Sequence, residues 1–289
     1  VENMAGGGGL RTRNYLYNIA KPNGLTIAEI IRGTGLQHAI KEPAARFKAD
    51  EFNWLGNLTT AQAICIGAID RVGNSLEEAI KRSKKTQLRD GESSSASTGA
   101  AIGKLLRKFT GMDTRLVVGY RGGAKIDLAL QKGEIDLRCG FVWSSAKTRK
   151  KHWFKRLGSK KPFATVLVQV AMTRHKELSD VPTLIELAPN ESWRAVAEMI
   201  TLTYRNAYPM LAPPGVPKPL VKTLRDAFWA TVNDPQYLAD ARKIGYLEDE
   251  PLKGEVVQNL INKIIATPEA SKKRMAKLMG YRKSKKSKK

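Results

Sequence analysis

Residues 118–140 read VGYRGGAKIDLALQKGEIDLRCG, and nearly every position has a place in a strand–loop–helix–strand unit. Leu116, Val117 and Val118 form an apolar run ended by Gly119. Gly122 and Gly123 open a helix whose Ile126, Ala129 and Leu130 recur at i, i+3 and i+4, Gly133 suits its C-terminal stop, and Ile135 to Cys139 resumes extended chain. A helix beginning on two glycines leaves unpaired N–H groups at the positive end of its dipole, a seat for an anion such as a carboxylate. A βα turn that needs glycine only for its backbone conformation has the same sequence. This stretch alone leaves both readings open.

A second polar stretch precedes it. Asp90 to Gly99, DGESSSASTG, is a hydroxyl-rich loop before the amphipathic pattern Ile102, Leu105, Leu106 and Phe109. Hydroxyls and N–H groups at a helix start can cradle a carboxylate, and a flexible serine loop has the same composition. Gly99 to Lys104 is no P-loop, because the spacing is one residue short and Leu105 stands where Ser or Thr would hold magnesium.

The 289 residues suffice for two lobes. No run of about 18 apolar residues exists to span a membrane, and no signal peptide is visible at Val1. The net charge of +23 has one source in the last residues, ending KKSKKSKK, expected as a solvated, disordered tail. The rest lies in KRSKK (81–85), KTRKKHWFKR (147–156) and GSKK (158–161). These runs read either as solvated faces or as a surface for an anionic partner. Trp153 and Phe154 among cations resemble a single-strand binder, but no recognisable RNA or DNA module accompanies them, so nucleic acid is not an expected partner. Cys65 and Cys139, each in a predicted strand, are too few for a disulfide framework or zinc site. They read either as buried small apolar residues or as a bond between neighbouring strands in an oxidising compartment.

Along the chain, strand candidates at Phe52–Gly56, Ile64–Ile69 and Phe163–Val170 alternate with helical patterns, and Ser75-Leu76-Glu77-Glu78 is a capping box. Residues 204–211 read as extended chain, Ala212-Pro213-Pro214-Gly215-Val216-Pro217 as a rigid connector, and four helices follow, the last capped by Thr267 and stopped at Gly280. This alternation predicts an α/β fold with mostly parallel sheets, and crossings near 64–69 and 204–211 suit two lobes. Catalytic signatures are lacking: no Gly-x-Ser-x-Gly elbow, no His-Glu-x-x-His, no dinucleotide glycine fingerprint, and three scattered histidines, His38, His152 and His175. The chain is therefore not expected to be an enzyme, and no cofactor or metal site is expected.

Four ordered segments carry a family likeness: VENMAGGGGLRTRNYL, VGYRGGAKIDLALQKGEID, DVPTLIE and LAPPGVPKPLVKTL. They resemble the strand and Pro-Gly-x-Gly-Gly loop, the Tyr-x-Gly-Gly segment, the Val-Pro-Thr turn and the return connector of the extracytoplasmic solute receptors of tripartite tricarboxylate transporters, the Bug family. The resemblance implies a type II periplasmic-binding-protein-like fold, two lobes with mostly parallel sheets joined by crossing strands. Lobe 1 would comprise 1–64 plus 212–280, lobe 2 65–211, and 281–289 a basic tail. It further implies a periplasmic receptor closing on a small carboxylate, no catalysis, and the membrane components of a tripartite transporter as partners. Mapped onto this chain, the ligand residues are Ser93, Ser97 and Thr98 of the hydroxyl loop, and Tyr120, Gly122 and Gly123 of the glycine unit. Gly8 and Gly9 of the loop Gly6 to Gly9 would face the ligand from the other lobe, with Trp143 and Ser144 lining the edge. A basic protein of the same fold that binds nucleic acid or an anionic surface is the alternative. Three departures stand out: Ala5 replaces the usual Pro, Glu92 puts a negative charge beside the cradle, and the family's first strand, glycine loop and helix have no counterpart here. The last predicts that residues 1–289 bind weakly or fold marginally.

Overall fold

The computed structural model describes residues 1–4, 6, 9–243 and 250–281. In chain order these form α1 Leu10–Asn18, β1 Ala28–Glu29, α2 Thr34–Ala39, β2 Asn53–Asn57, β3 Ala63–Ala68, α3 Ile69–Val72, α4 Leu76–Ser83, β4 Leu88–Glu92, α5 Thr98–Thr110, β5 Thr114–Val118 and α6 Gly123–Gln131. Then come β6 Leu137–Val142, α7 Trp143–Arg149, β7 Ala164–Val170, α8 Glu191–Arg205, β8 Pro209–Ala212, α9 Lys218–Asn233, α10 Pro235–Lys243, β9 Leu252–Lys253, α11 Gly254–Ile265 and α12 Glu269–Leu278. The chain divides into two compact units. Unit 1 comprises Val1–Gln62, Val142–Arg149 and Met199–Thr267, and unit 2 comprises Ala63–Phe141, Lys150–Glu198 and Pro268–Lys289. Residues 282–289 of the basic tail lie outside the described residues.

Unit 1 is built on a sheet of order β1-β8-β2-β9. Its core gathers Leu16, Phe52, Trp54, Leu211, Val257 and Ile261. Trp54 is buried because its one polar atom is satisfied: Nε1 donates to Ala49 O at 2.9 Å. Gly56 has a steric cause, since a Cβ there would overlap the Phe228 ring of α9.

Unit 2 is built on a sheet of order β5-β4-β6-β3-β7. β4 runs parallel to both β5 and β6, joined by helices as the alternation predicts. Elsewhere the parallel expectation gives way. β7 pairs antiparallel with β3, and β8 pairs antiparallel with both β1 and β2. Helical crossovers impose parallel pairing, and these strands instead meet partners from distant chain segments that enter from the opposite direction. The apolar run of β7 is therefore an edge strand, whose outer side is covered through the Gln169–Thr183 bridge.

Unit boundaries also differ from the sequence expectation. Residues 199–211 belong with unit 1, because β8 pairs there, as does the segment 142–149. Residues 268–281 belong with unit 2, where Lys104 Nζ donates to Leu278 O at 2.8 Å and Ser271 Oγ to Ser192 O at 3.2 Å. The cap of α12 falls at Pro268, while the Thr267 hydroxyl bonds back to Lys263 O. Ser75 does cap α4, accepting from Glu78 N at 3.2 Å.

Cys65 of β3 and Cys139 of β6 form a disulfide across neighbouring strands, closing 74 residues of chain. A loop of that length restricts the unfolded chain enough to stabilise the fold by about 4 kcal/mol in the chain-entropy account. A non-reducing digest should yield the linked Cys65–Cys139 peptide. The Cys65→Ala/Cys139→Ala variant should unfold at lower denaturant, by about 2–4 kcal/mol, and an unlinked digest would remove the assignment.

Candidate functional site

Because β4 and β5 are parallel, the chain leaves both at the same end of the unit 2 sheet. There the hydroxyl loop and the glycine loop meet: Gly119 N donates to Ser93 O at 3.3 Å. Ser93 is exposed and Thr98 half-buried at the start of α5. Ser97 is the N-cap, its Oγ accepting from Ala100 N at 3.0 Å and donating to Glu92 Oε2 at 2.8 Å. Its one proton is thus already engaged by Glu92. Lys104 Nζ donates to Ser95 O at 2.7 Å, bracing the loop against the C-terminal end of α12, which the same amine reaches at Leu278.

The glycines of the second loop have separable causes. Gly119 (φ 110°) and Gly122 (φ 88°) adopt backbone conformations that L side chains avoid, with open space where a Cβ would lie. Gly123 is small for another reason: the Arg138 guanidinium occupies the position of its Cβ. Gly122 has no side-chain cap, and Gly123 N and Ala124 N find no partner among the described residues, so α6 presents first-turn donors. At the far end Gly133 N bonds Leu130 O and Glu134 N bonds Ala129 O at 3.1 and 2.9 Å, a Schellman stop. Arg138 pairs with Asp127, while Arg121 of the loop and Lys125 of the first turn of α6 are exposed. The Tyr120 phenol stays protonated, its pKa raised chiefly by burial, and can donate.

Sequence reading placed Asp90, Gly91 and Glu92 in the loop; they belong to β4. Asp90 and Glu92 are 2 % and 4 % exposed. A Cβ on Gly103 would overlap the Asp90 carboxyl, and one on Gly99 the Glu92 carboxyl, so α5 carries glycine wherever β4 buries an acid. Burial, then the neighbouring Glu92, holds the Asp90 carboxyl well above the usual range, against a hydrogen bond from the Cys139 backbone. Glu92 turns inward to Ser97 rather than toward a ligand at the loop. Arg89 is engaged elsewhere, forking onto Asp136 at 2.9 and 2.7 Å.

In unit 1, Gly9 (φ 87°) precedes α1, and its Cβ position lies 3.0 Å from Arg13 Nη1. Arg13 was missed by the sequence reading. It is 0 % exposed, its pKa is pushed down to about 10 by burial, and it donates to Thr34 Oγ1, Gln37 Oε1 and the carbonyls of Ile31 and Arg32, all neutral groups. Gly8 and Ala5 lie outside the described residues. Trp143, expected at an edge, is 2 % exposed in α7, its N–H bonded to Gln62 O at 2.9 Å, and Ser144 follows it in the helix. Among the described residues no group of three potential metal ligands occurs, and no helix is long and apolar enough to cross a membrane.

No protein-family profile and no curated protein sequence matches the chain. Solved structures do. A TctC solute-binding protein from Polaromonas, without ligand, aligns with TM-score 0.68 and 19% identity over 96% of this chain and 85% of that one. A protein of R. palustris with adipate aligns with TM-score 0.65 and 19% identity over 94% and 83%. MatC from Rhodopseudomonas palustris with bound malate aligns with TM-score 0.64 and 20% identity over 96% and 86%. The chain has the fold of these solute-binding proteins.

The buried acids make a pH signature. Since folding raises the Asp90 pKa, its contribution to stability is complete below the ordinary aspartate value and is lost as pH climbs through the raised one. Asp90→Asn should therefore gain stability relative to the parent protein progressively as pH rises above the ordinary aspartate range. Melting curves of both proteins as pH rises check this, and a difference flat with pH would show that Asp90 titrates normally.

Proposed function

We propose that the protein is an extracytoplasmic receptor that captures a small organic carboxylate and delivers it to a tripartite tricarboxylate-type transporter. The observation that carries the reading is the meeting, in unit 2, of a hydroxyl loop and an uncapped helix start at the ends of two parallel strands, joined by the Gly119–Ser93 hydrogen bond. Such a site holds an anion with oriented N–H and O–H dipoles. The fold supports it, because structures of that fold were solved with adipate and malate.

In this reading Gly123 N, Ala124 N, the Tyr120 hydroxyl, Ser93 and Thr98 hold one carboxylate. Ser97 fixes the loop through its cap and its bond to Glu92. In unit 1, Gly9 precedes α1 with the buried Arg13 guanidinium beside it. No step of the reading requires bond making, so the receptor is not an enzyme, and its place of work is the periplasm with the transporter's membrane components as partners.

Titration calorimetry with adipate and malate should show saturable binding that changes little between low and moderate salt, unlike polyanion binding. Gly122→Ala, forced into a conformation costing about 1 kcal/mol or more, should weaken binding roughly tenfold while melting cooperatively. A cooperatively melting parent protein that takes up no di- or tricarboxylate, aromatic acid or amino acid would sink the proposal.

A further inference from the structure

Two of the basic runs unused by the carboxylate reading converge in unit 2. At the end of the sheet where β4 and β6 begin, remote from the hydroxyl loop, a cleft of about 410 Å³ is lined by Arg71, Arg82, Lys85, Thr86, Arg89 and Asp136, with Asp70 at its side. Arg82 and Lys85 come from KRSKK. A second cleft of about 500 Å³ borders the same Ile69–Asn74 segment and takes Lys155 and Arg156 from KTRKKHWFKR, with Asp180. Runs far apart in sequence thus reach adjacent concavities.

The charges of the first cleft are unequally committed. Asp136 accepts the Arg89 fork and also Arg89 N at 2.8 Å, so its charge is largely matched by Arg89, which reaches Gly133 O at 2.8 Å as well. Arg82 is fixed by the carbonyls of Ile69 and Asp70 at 3.3 and 2.9 Å, with Glu78 at 3.5 Å. Arg71 stands half exposed, its Nε 3.6 Å from Asp136 Oδ1. The Lys85 amine and the Thr86 hydroxyl find no partner among the described residues, and both are exposed. What faces solvent is a guanidinium, an ammonium and a hydroxyl over a floor whose arginines are matched by Asp136 and Glu78, with the Asp70 carboxylate as a further counter-charge.

We propose that this cleft binds a phosphate-bearing anion through Arg71, Lys85 and Thr86, with the charge-compensated Arg82 and Arg89 shaping its floor. Two exposed cations favour a doubly charged, multi-oxygen group over a single carboxylate, and a guanidinium pairs with two phosphate oxygens at once. The site is distinct from the hydroxyl and glycine loops and does not depend on what they bind.

Titration of the full chain with pyrophosphate at about 0.1 M salt tests it, alongside co-sedimentation with vesicles of phosphatidylglycerol and of phosphatidylcholine. Arg71→Ala/Lys85→Ala should weaken the interaction about tenfold or more without altering the melting temperature, whereas Lys132→Ala/Lys218→Ala, which removes the same charge from exposed positions outside both clefts, should leave it within about twofold. Pyrophosphate binding that follows this pattern assigns the cleft to a soluble anion. Phosphatidylglycerol binding alone, with the same pattern, assigns it to a lipid headgroup. Equal losses in the two double variants would mean attraction by net charge only and would overturn the proposal, as would a parent protein that binds neither probe.

Discussion

Asp90 and Glu92 lie on one face of β4, two residues apart, and both are sealed beneath α5, whose Gly99 and Gly103 leave the space their carboxyls fill. Two like charges side by side in a low-dielectric setting are costly, so Asp90 is held protonated by burial and by its neighbour. That requirement orders much of unit 2. The Cys139 backbone bonds the Asp90 carboxyl, which sets β6 beside β4, and the disulfide then ties β6 to β3. Glu92 reaches the Ser97 hydroxyl, which caps α5. The start of α5, and with it the hydroxyl loop, is located from inside the protein rather than by the loop's own composition.

What was legible in the sequence follows from this. The α6 unit was readable because its signals are local: apolar positions on one helical face, Gly122 at positive φ, and Gly133 at the Schellman stop. β4 was not, because Asp, Gly and Glu are poor strand formers, and their strand exists only where β5, β6 and the glycines of α5 surround it. The antiparallel pairings of β8 likewise depend on partners more than a hundred residues away. Arg13 sat in a polar run, yet it falls three residues from Leu10 and three from Leu16, on the face of α1 that is buried. That spacing was the available sign of an inward arginine. The two readings of Cys65 and Cys139 were separated only by seeing β3 and β6 side by side.

The glycine loop shows why a motif and its null explanation coexist. Gly119 and Gly122 are required by backbone conformation and Gly123 by the Arg138 side chain, so all three have reasons that need no ligand. Those same requirements leave α6 uncapped, with two N–H groups unsatisfied. Packing explains the residues; the unsatisfied donors are the part that points to an anion.

Charge is divided between the two ends of the unit 2 sheet. At the loop end, Arg138 is spent on Asp127 and the acids are buried, so a carboxylate there would meet the helix-start dipoles together with the exposed Arg121 and Lys125. A buried ion pair requires stripping water from both partners, at several kcal/mol each, whereas helix-start N–H groups are already oriented. Helix-start dipoles can therefore contribute to holding an anion without a buried salt bridge that must break on release. At the other end, Arg71 and Lys85 are exposed to solvent. Charges there lie more than a screening length of about 10 Å from the loops at ordinary salt. They bias the encounter with anions in general.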